Sequence, residues 1–241
     1  LERDGRPVKV AEVQTAEPGA PEIALTFELH RAVGRLVRGA VDEGAFPVVL
    51  AGACGSSVGT AAGVGTHDLG VVWLDAHADL DTPEDNLSGF LDVMALTTLT
   101  GGAWGALAAT VEGFAPVAPE RVLLAGVRDL APYQRDALAR SPVRALPGAF
   151  TVDELQRALL ALPVRRVLLH LDLDVLDAGE GRANRYAAPG GPSLETVLAA
   201  VDAVFARFEV AAFALTAYEP GDARAHAAAV ALLERVLGHV R

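Results

Sequence analysis

Cysteine is almost absent from the sequence: Cys54 stands alone among 241 residues, so these residues can form no internal disulfide. Disulfides mark oxidising compartments, and their absence leads us to expect a cytoplasmic protein. Long hydrophobic runs are missing too, which predicts no membrane-spanning helix and no membrane partner. Aromatic residues make up only 5% of the chain, whereas apolar residues make up 51%. We therefore expect an ordered core built mostly from Ala, Val and Leu.

Positive charge is also scarce. The chain has 20 Lys and Arg against 31 Asp and Glu, and its formal net charge is -11. Because a phosphate backbone requires a basic protein face, this balance argues against nucleic-acid binding. An acidic cleft attracts divalent metals or cationic substrates, although the same charge could serve solubility alone.

Apolar runs and amphipathic stretches alternate along the chain, which is typical of strands alternating with helices. The predicted strands are 46–50, 69–74, 121–126, a short one near Val143, 166–173 and 210–218. The predicted helices are 25–42, 55–65, 93–109, 132–140, 151–162, 193–207 and 222–240. The predicted loops are 1–22, 79–92 and 177–192.

This alternation predicts an α/β fold with a doubly wound parallel sheet and helices on both faces. We expect a single domain over residues 1–241, because neither a linker nor a repeat interrupts the pattern. The chain begins at Leu1 rather than Met, so we expect an additional N-terminal strand to be missing from it. Ligand sites in such sheets lie beyond the carboxyl ends of the strands.

The first candidate site motif is Asp75-Ala-His-Ala-Asp79, at the end of an apolar strand. In an extended chain, Asp75, His77 and Asp79 would share one face. Acids crowded at a buried strand end repel one another and are costly to desolvate, unless a divalent cation compensates their charge. The alternative is a strand-end loop whose charges point to water.

The second motif is His170-Leu-Asp-Leu-Asp174, inside another apolar strand. Asp172 and Asp174 share a face, and His170 is either a partner that orients the acids or a satisfied core histidine. Carboxylates with a little imidazole favour Mn²⁺ or similar metals. Two such strand ends could hold two ions about 3.5–4 Å apart that activate a water between them.

These residues resemble motifs of the ureohydrolase superfamily, which comprises arginases, agmatinases and formimidoylglutamases. The resemblance covers five places in residues 50–222. They are Asp75–Asp79, the following loop with Asp81–Glu84 and Ser88–Gly89, Gly126–Asp129, His170–Asp174 and Tyr218–Asp222. The resemblance implies an arginase-like three-layer α/β/α fold and a trimer or hexamer.

For function, the resemblance implies hydrolysis of a linear guanidino or amidino C–N bond at a site with two Mn²⁺ ions. Asp75 and Asp172 would bridge both ions. Asp79 would bind one ion, and His77 with Asp174 the other. Glu219 would bind the guanidinium of a small cationic substrate. We expect Asp81, Ser88 and Asn184, which lie in the two long loops, to line the substrate site.

Three positions depart from the family pattern. Cys54 stands where the family has a metal-binding histidine, and is either a thiolate ligand or a small buried apolar residue. Asp92 stands where the family has a histidine thought to carry protons. It either takes over that catalytic role or caps the following helix. Ala131 replaces an acid that holds the α-amino group in arginases, which argues against L-arginine as the substrate.

The sequence thus predicts an arginase-like hydrolase with a binuclear manganese site. One alternative is a catalytically impaired homologue that acts as a metal- or ligand-binding protein, which the residues Cys54 and Asp92 would favour. A second alternative is another amidohydrolase, such as a deacetylase with one zinc ion. The paired motifs favour two ions over one.

Overall fold

The fold is seen in a computed structural model that describes residues 2–3, 6–14 and 19–240. Its strands are β1 (Glu2–Arg3), β2 (Arg6–Pro7), β3 (Val48–Ala51), β4 (Leu69–Leu74), β5 (Val122–Val127), β6 (Arg144–Pro147), β7 (Arg166–Asp172) and β8 (Glu209–Thr216). Its helices are α1 (Glu22–Asp42), α2 (Ser56–Val64), α3 (Ala95–Leu99), α4 (Gly105–Ala108), α5 (Pro132–Arg140), α6 (Val152–Leu160), α7 (Leu194–Arg207) and α8 (Ala223–His239).

A six-stranded, entirely parallel sheet forms the middle layer, in the order β3-β8-β7-β4-β5-β6. The predicted doubly wound sheet is therefore confirmed. Side chains alternate between its two faces, as a pleated strand requires. Along β4, Val72 and Leu74 pack with α6, α7 and α8, whereas Val71 and Trp73 pack with α1, α2 and α3.

Strands β4 and β7 are neighbours at the point where the chain reverses its direction across the sheet. From β4 the chain continues to β5 and β6 on one side, and from β7 to β8 on the other. Ligands of open α/β sheets bind in the crevice at such a switch point. Both candidate metal motifs lie there, because Asp75 follows β4 directly and Asp172 ends β7.

Helix α2 packs closely on α1. A Cβ atom on Gly59 would lie 2.4 Å from the backbone oxygen of His30, so only glycine allows this approach. The helix predicted over 55–65 is confirmed, since α2 spans Ser56–Val64. Cys54, just before α2, lies at the carboxyl edge of the sheet, with its Sγ 3.0 Å from Asp172 Oδ2.

Two predicted elements differ from the structure. The predicted helix over 93–109 is wrong: a 3₁₀ turn at Asp92–Met94 leads into α3, which ends at Leu99, and α4 begins only at Gly105. The interruption contains Gly101 at φ 87° and Trp104 at φ 53°, both in the left-handed region that ends helices.

The predicted loop over 1–22 also differs, because β1 pairs with β2 in a two-stranded sheet. Residues 1, 4, 5 and 15–18 of that loop lie outside the described residues. Among the helices that the structure describes, none is long and apolar enough to cross a membrane.

Candidate metal centre

The chain turns in the same way at the ends of β4 and β7, through a hydrogen bond from the backbone to an aspartate side chain. Asp75 Oδ1 accepts the backbone N–H of His77 at 2.7 Å, and Asp172 Oδ1 accepts that of Asp174 at 2.8 Å. Each is an aspartate side chain binding the backbone two residues on, which ends extended structure. The expectation of an extended chain through Asp79 is therefore wrong, since β4 ends at Leu74 and Asp79 has φ 51°.

The turns nevertheless bring the two motifs together. One potential ligand atom from each of Asp75, His77 and Asp174 lies within 4.8 Å of the others. His77 Nδ1 is 3.4 Å from Asp75 Oδ1 and 3.5 Å from Asp174 Oδ2. Burial by itself would lower the pKa of His77, but the hydrogen bond to Asp75 and the surrounding acids raise it to about 9. The site therefore attracts positive charge strongly.

The acids of the cluster are buried, and their hydrogen bonds compensate only part of the cost of burying their charge. Asp79, Asp172 and Asp174 are 8% exposed or less. Burial, and then the charges of neighbouring acids, raise the pKa of each carboxyl. Asp79 Oδ2 and Asp174 Oδ1 are buried without a hydrogen-bond partner. Because uncompensated carboxylates are costly inside a protein, a divalent cation suits this cluster.

Cys54 reaches the same cluster from the loop before α2. Its Sγ–H donates to Asp172 Oδ2 at 3.0 Å, and Thr216 Oγ1 lies 3.2 Å from the sulfur. Burial and then the charge of Asp172 raise the pKa of the thiol well above its usual value. Without a cation Cys54 is thus a neutral thiol, although it is placed among the acids as a ligand would be.

Asp92 binds the start of α2 rather than its own helix. Its Oδ2 accepts the backbone N–H of Cys54 at 2.9 Å, and its Oδ1 accepts that of Gly55 at 2.8 Å. The alternative that Asp92 caps the following helix is wrong, because that turn has no side-chain cap. The catalytic role predicted for Asp92 remains a prediction. Burial raises the pKa of this carboxyl, and the two backbone hydrogen bonds oppose that shift.

His170 is fully buried beside the acids. Its Nδ1 lies 2.7 Å from Ser57 Oγ, and its Nε2 lies 3.4 Å from Thr216 Oγ1. Its ring stacks on Trp73 with a centroid separation of 3.5 Å, and Trp73 Nε1 donates to Asp75 Oδ2 at 2.9 Å. Burial lowers the pKa of His170 to about 3, so the ring is neutral. Sequence reasoning missed Ser57, Trp73 and Thr216, whose role depends on contacts between distant strands.

Two of the predicted substrate residues are already engaged within the protein. Asp81 is buried, and its two oxygens accept hydrogen bonds from Tyr133 at 2.9 Å and Gln134 at 2.8 Å. Ser88 is exposed, and its hydroxyl donates to Asn86 Oδ1 at 2.8 Å. In this structure Asp81 joins its loop to α5, and Ser88 shapes the tip of that loop.

The other two predicted substrate residues differ in burial. Asn184 is buried, and its Nδ2 donates to Asp174 Oδ2 at 3.1 Å and thereby orients a member of the cluster. Glu219 has a half-exposed side chain whose Oε1 lies 3.6 Å from Nε of Arg185. Among the described contacts, none joins the Glu219 carboxylate to the acids.

Aromatic side chains from the two long loops meet above His77. The rings of Phe90 and Tyr186 stack at 5.8 Å between centroids, and the ring of Tyr186 lies edge-on to His77 at 6.5 Å. Phe90 is 40% exposed and Tyr186 46% exposed. A half-exposed aromatic pair therefore lies beside His77, which the sequence patterns did not indicate.

Arg128 holds the second long loop against the sheet. Its guanidinium donates to backbone carbonyls, including those of Asp174 at 3.0 Å, Leu176 at 2.9 Å and Ala188 at 2.8 Å. The planar guanidinium has five N–H donors, so it can bind several carbonyl oxygens that point toward it. Arg128 thus fixes the backbone that carries Asp174.

Comparison with known proteins agrees with this geometry. The family model described as "Arginase family" matches residues 3–238. The chain is 31% identical over 177 residues to the arginase of Bacillus subtilis strain 168, covering 68% of this chain and 58% of that protein. It is 33% identical over 167 residues to the arginase of Bacillus caldovelox, covering 64% of this chain and 54% of that protein. The chain therefore spans a little over half the length of these two relatives.

Solved structures show the same fold. A crystal structure of Bacillus subtilis arginase superposes with a TM-score of 0.81 at 27% identity, over 90% of this chain and 81% of that chain. The native Bacillus caldovelox arginase at pH 5.6 gives a TM-score of 0.80 at 26% identity, over 96% and 82%. The sheet, its covering helices and the acidic cluster at the switch point define an arginase-like α/β/α protein. The family match extends over nearly the whole sequence, and the chain belongs to the arginase family.

Proposed function

We propose that this protein hydrolyses a C–N bond of a linear guanidino or amidino compound, at a site that holds two divalent cations, with Mn²⁺ as the expected metal. The observation that carries the proposal is the convergence of Asp75, His77 and Asp174 at the switch point of the sheet, together with the unpartnered oxygens of Asp79 and Asp174. Buried acids in this number suit hard or borderline cations.

The residues present fit a cation pair. Asp75 belongs to two groups of potential ligands, one with His77 and Asp174 and the other with Cys54 and His170. An acid shared by two groups is placed as a bridging ligand would be. Asp79 and Asp172 would complete the set. Bound cations would supply a water of lowered pKa as the nucleophile.

Other residues of the chain would bind and orient the substrate. Glu219 Oε1 lies 3.6 Å from Nε of the Arg185 guanidinium, and this ion pair supports a role for Glu219 in binding a guanidinium group. Phe90 and Tyr186 would exclude water on one side of the entrance. Asn184 would keep Asp174 in position through its hydrogen bond.

The substrate we favour lacks the amino-acid head of L-arginine. Ala131, at the N-cap position of α5, has no side-chain group that can pair with an ammonium. A site with a partner for a charged group strongly prefers substrates that carry this group. A site without such a partner gives them no such preference. Agmatine-like compounds therefore fit this proposal better. The cytoplasmic location expected from the single cysteine, and the homo-oligomer that the family resemblance implies, are part of the same proposal.

A second candidate function is binding without turnover. The observation that favours it is the arrangement of Asp92, both of whose oxygens are occupied by backbone N–H groups, with neutral Cys54 beside it. A family member with these features would retain metal or a guanidino ligand and act as a binding subunit.

Urea release from arginine, agmatine and guanidinobutyrate, with Mn²⁺ supplied, separates the two candidates. We expect release from at least one compound, with agmatine or guanidinobutyrate preferred over arginine. Asp174→Asn should abolish it, whereas Asp202→Asn, whose carboxylate contacts Arg235 and His239 of α8 rather than the cluster, should leave it unchanged. Metal-loaded protein that binds these compounds but releases no urea would support the second candidate. Efficient turnover of arginine with a large loss for agmatine would contradict the proposed substrate class.

A further inference from the structure

The second group of potential ligands has a different chemistry from the first. One atom each from Cys54, Asp75 and His170 lies within 4.8 Å of the others. All three side chains are buried, at 2%, 1% and 0% exposure. The group offers sulfur, oxygen and imidazole nitrogen, whereas the group around His77 offers two carboxylates and an imidazole.

The orientation of His170 suits a ligand. Ser57 Oγ lies 2.7 Å from Nδ1, which leaves Nε2 as the nitrogen on the side of Cys54. Nε2 lies 3.4 Å from Thr216 Oγ1, and this hydroxyl lies 3.2 Å from Cys54 Sγ. Histidines that bind metals almost always use their second nitrogen for a hydrogen bond of this kind. Trp73 contacts both partners, since it stacks on His170 and donates to Asp75. The ring and the carboxylate are thereby held in fixed relative positions.

A satisfied core cluster would explain only part of this arrangement. Hydrogen bonds from Cys54 to Asp172 and Thr216 satisfy the thiol without a cation. They leave Asp79 Oδ2 without a partner, although Asp79 is 92% buried and its charge acts on Cys54. A buried carboxylate oxygen without a partner is costly, and a cation bound at this cluster would compensate its charge.

We propose that Cys54, Asp75 and His170 bind a zinc-type cation, so that one of the two metal positions prefers Zn²⁺ or Co²⁺ to Mn²⁺. Thiolate with imidazole is the donor set of zinc, and thiolate disfavours manganese. When the cation binds, the Sγ–H proton of Cys54 would be released to solvent, and the resulting thiolate would be the ligand. This inference rests on the proposed function in one respect: both require a metal ion at this cluster.

Cobalt titration of chelator-treated protein tests the site directly, because a cobalt–thiolate bond gives a charge-transfer absorption in the near ultraviolet. We expect this band in the wild type and its loss in Cys54→Ser. In His170→Gln we expect zinc affinity, measured by displacement of cobalt, to fall about tenfold or more. The matched control is His67→Gln, which replaces an exposed histidine and should bind as the wild type does. Cys54→His should shift the preference toward Mn²⁺.

Circular dichroism of each metal-free variant separates misfolding from loss of a ligand. If Cys54→Ser or His170→Gln fails to fold, cobalt extended X-ray absorption of the wild type reports the sulfur ligand without any substitution. A wild type without the charge-transfer band and without a sulfur ligand would overturn the inference, as would a folded His170→Gln that binds zinc normally. Urea release with Mn²⁺ but no thiolate band would overturn this inference alone. A thiolate band without urea release would instead contradict the proposed function.

Discussion

Asp92 accepts the backbone N–H of Cys54 at 2.9 Å, although 38 residues separate the two positions. The second carboxylate oxygen accepts the N–H of Gly55. Gly55 is the N-cap residue of α2 and Cys54 precedes it, so neither N–H group has a partner within the helix. The loop after β4 is thereby joined to the start of α2, where Cys54 faces the acids.

Replacement of Asp92 by alanine should destabilise the metal-free protein by about 1–2 kcal/mol, because two buried N–H groups lose their acceptor. Asp92→Asn should cost less, since its amide oxygen can still accept from one of them. Urea denaturation of both variants in the presence of a chelator measures this difference. Equal stability of wild type and Asp92→Ala would show that the carboxylate does not hold α2, and would favour a purely catalytic role.

The stability of the protein should depend on the protonation of His30. Burial, and then the charge of Arg31, lower the pKa of His30 to about 4. An unfolded histidine titrates near 6.5, so the unfolded chain binds the proton more readily between these values. The stabilising contribution is therefore complete above about pH 6.5 and is lost as the pH falls toward 4, by up to roughly 3 kcal/mol. Unfolding free energies of wild type and His30→Leu, measured in chelator at pH 7.5 and 4.5, should show a smaller pH dependence in the variant. An unchanged pH dependence would contradict this assignment.

Arg185 should compete with the substrate for Glu219. The side chain of Arg185 is 72% exposed, and an ion pair this exposed contributes little to stability. Arg185→Gln should therefore leave the melting temperature unchanged, lower KM for a guanidino substrate several-fold and leave kcat similar. Arg207→Gln, in the last turn of α7, is the matched control for loss of one positive charge. A raised KM in Arg185→Gln would indicate that Arg185 helps to bind the substrate instead.

The fold could be predicted from the sequence where one local signal dominates. The uniformly apolar run Leu69–Leu74 became β4 with the predicted bounds, and the capping residues Ser193 and Asp222 begin α7 and α8. Periodicity failed over 93–109, because apolar spacing persists where Gly101 and Trp104 take left-handed conformations. Apolar periodicity alone does not reveal such a break when the residues on both sides keep a helical spacing.

The candidate site was predictable to the level of motifs. Two polar motifs at strand ends sufficed to place Asp75 and Asp172 at one edge of the sheet, because parallel strands share that edge. The sequence could not show that Trp73 would lie between His170 and Asp75, or that Asp92 would bind the start of α2. Both relationships depend on how distant segments pack.

The metal content of wild type and Asp172→Ala tests the central claim most directly. Asp172 lies beside Cys54 and orients Asp174, so it contacts residues of both ligand groups. After loading with Mn²⁺ and Zn²⁺ and removal of free metal, mass spectrometry of the wild type should find about two ions per chain. Asp172→Ala should retain less than about one, whereas Asp202→Asn should match the wild type. A wild type that holds no ion, or an Asp172→Ala protein that keeps the full content, would contradict a centre built from both strand ends.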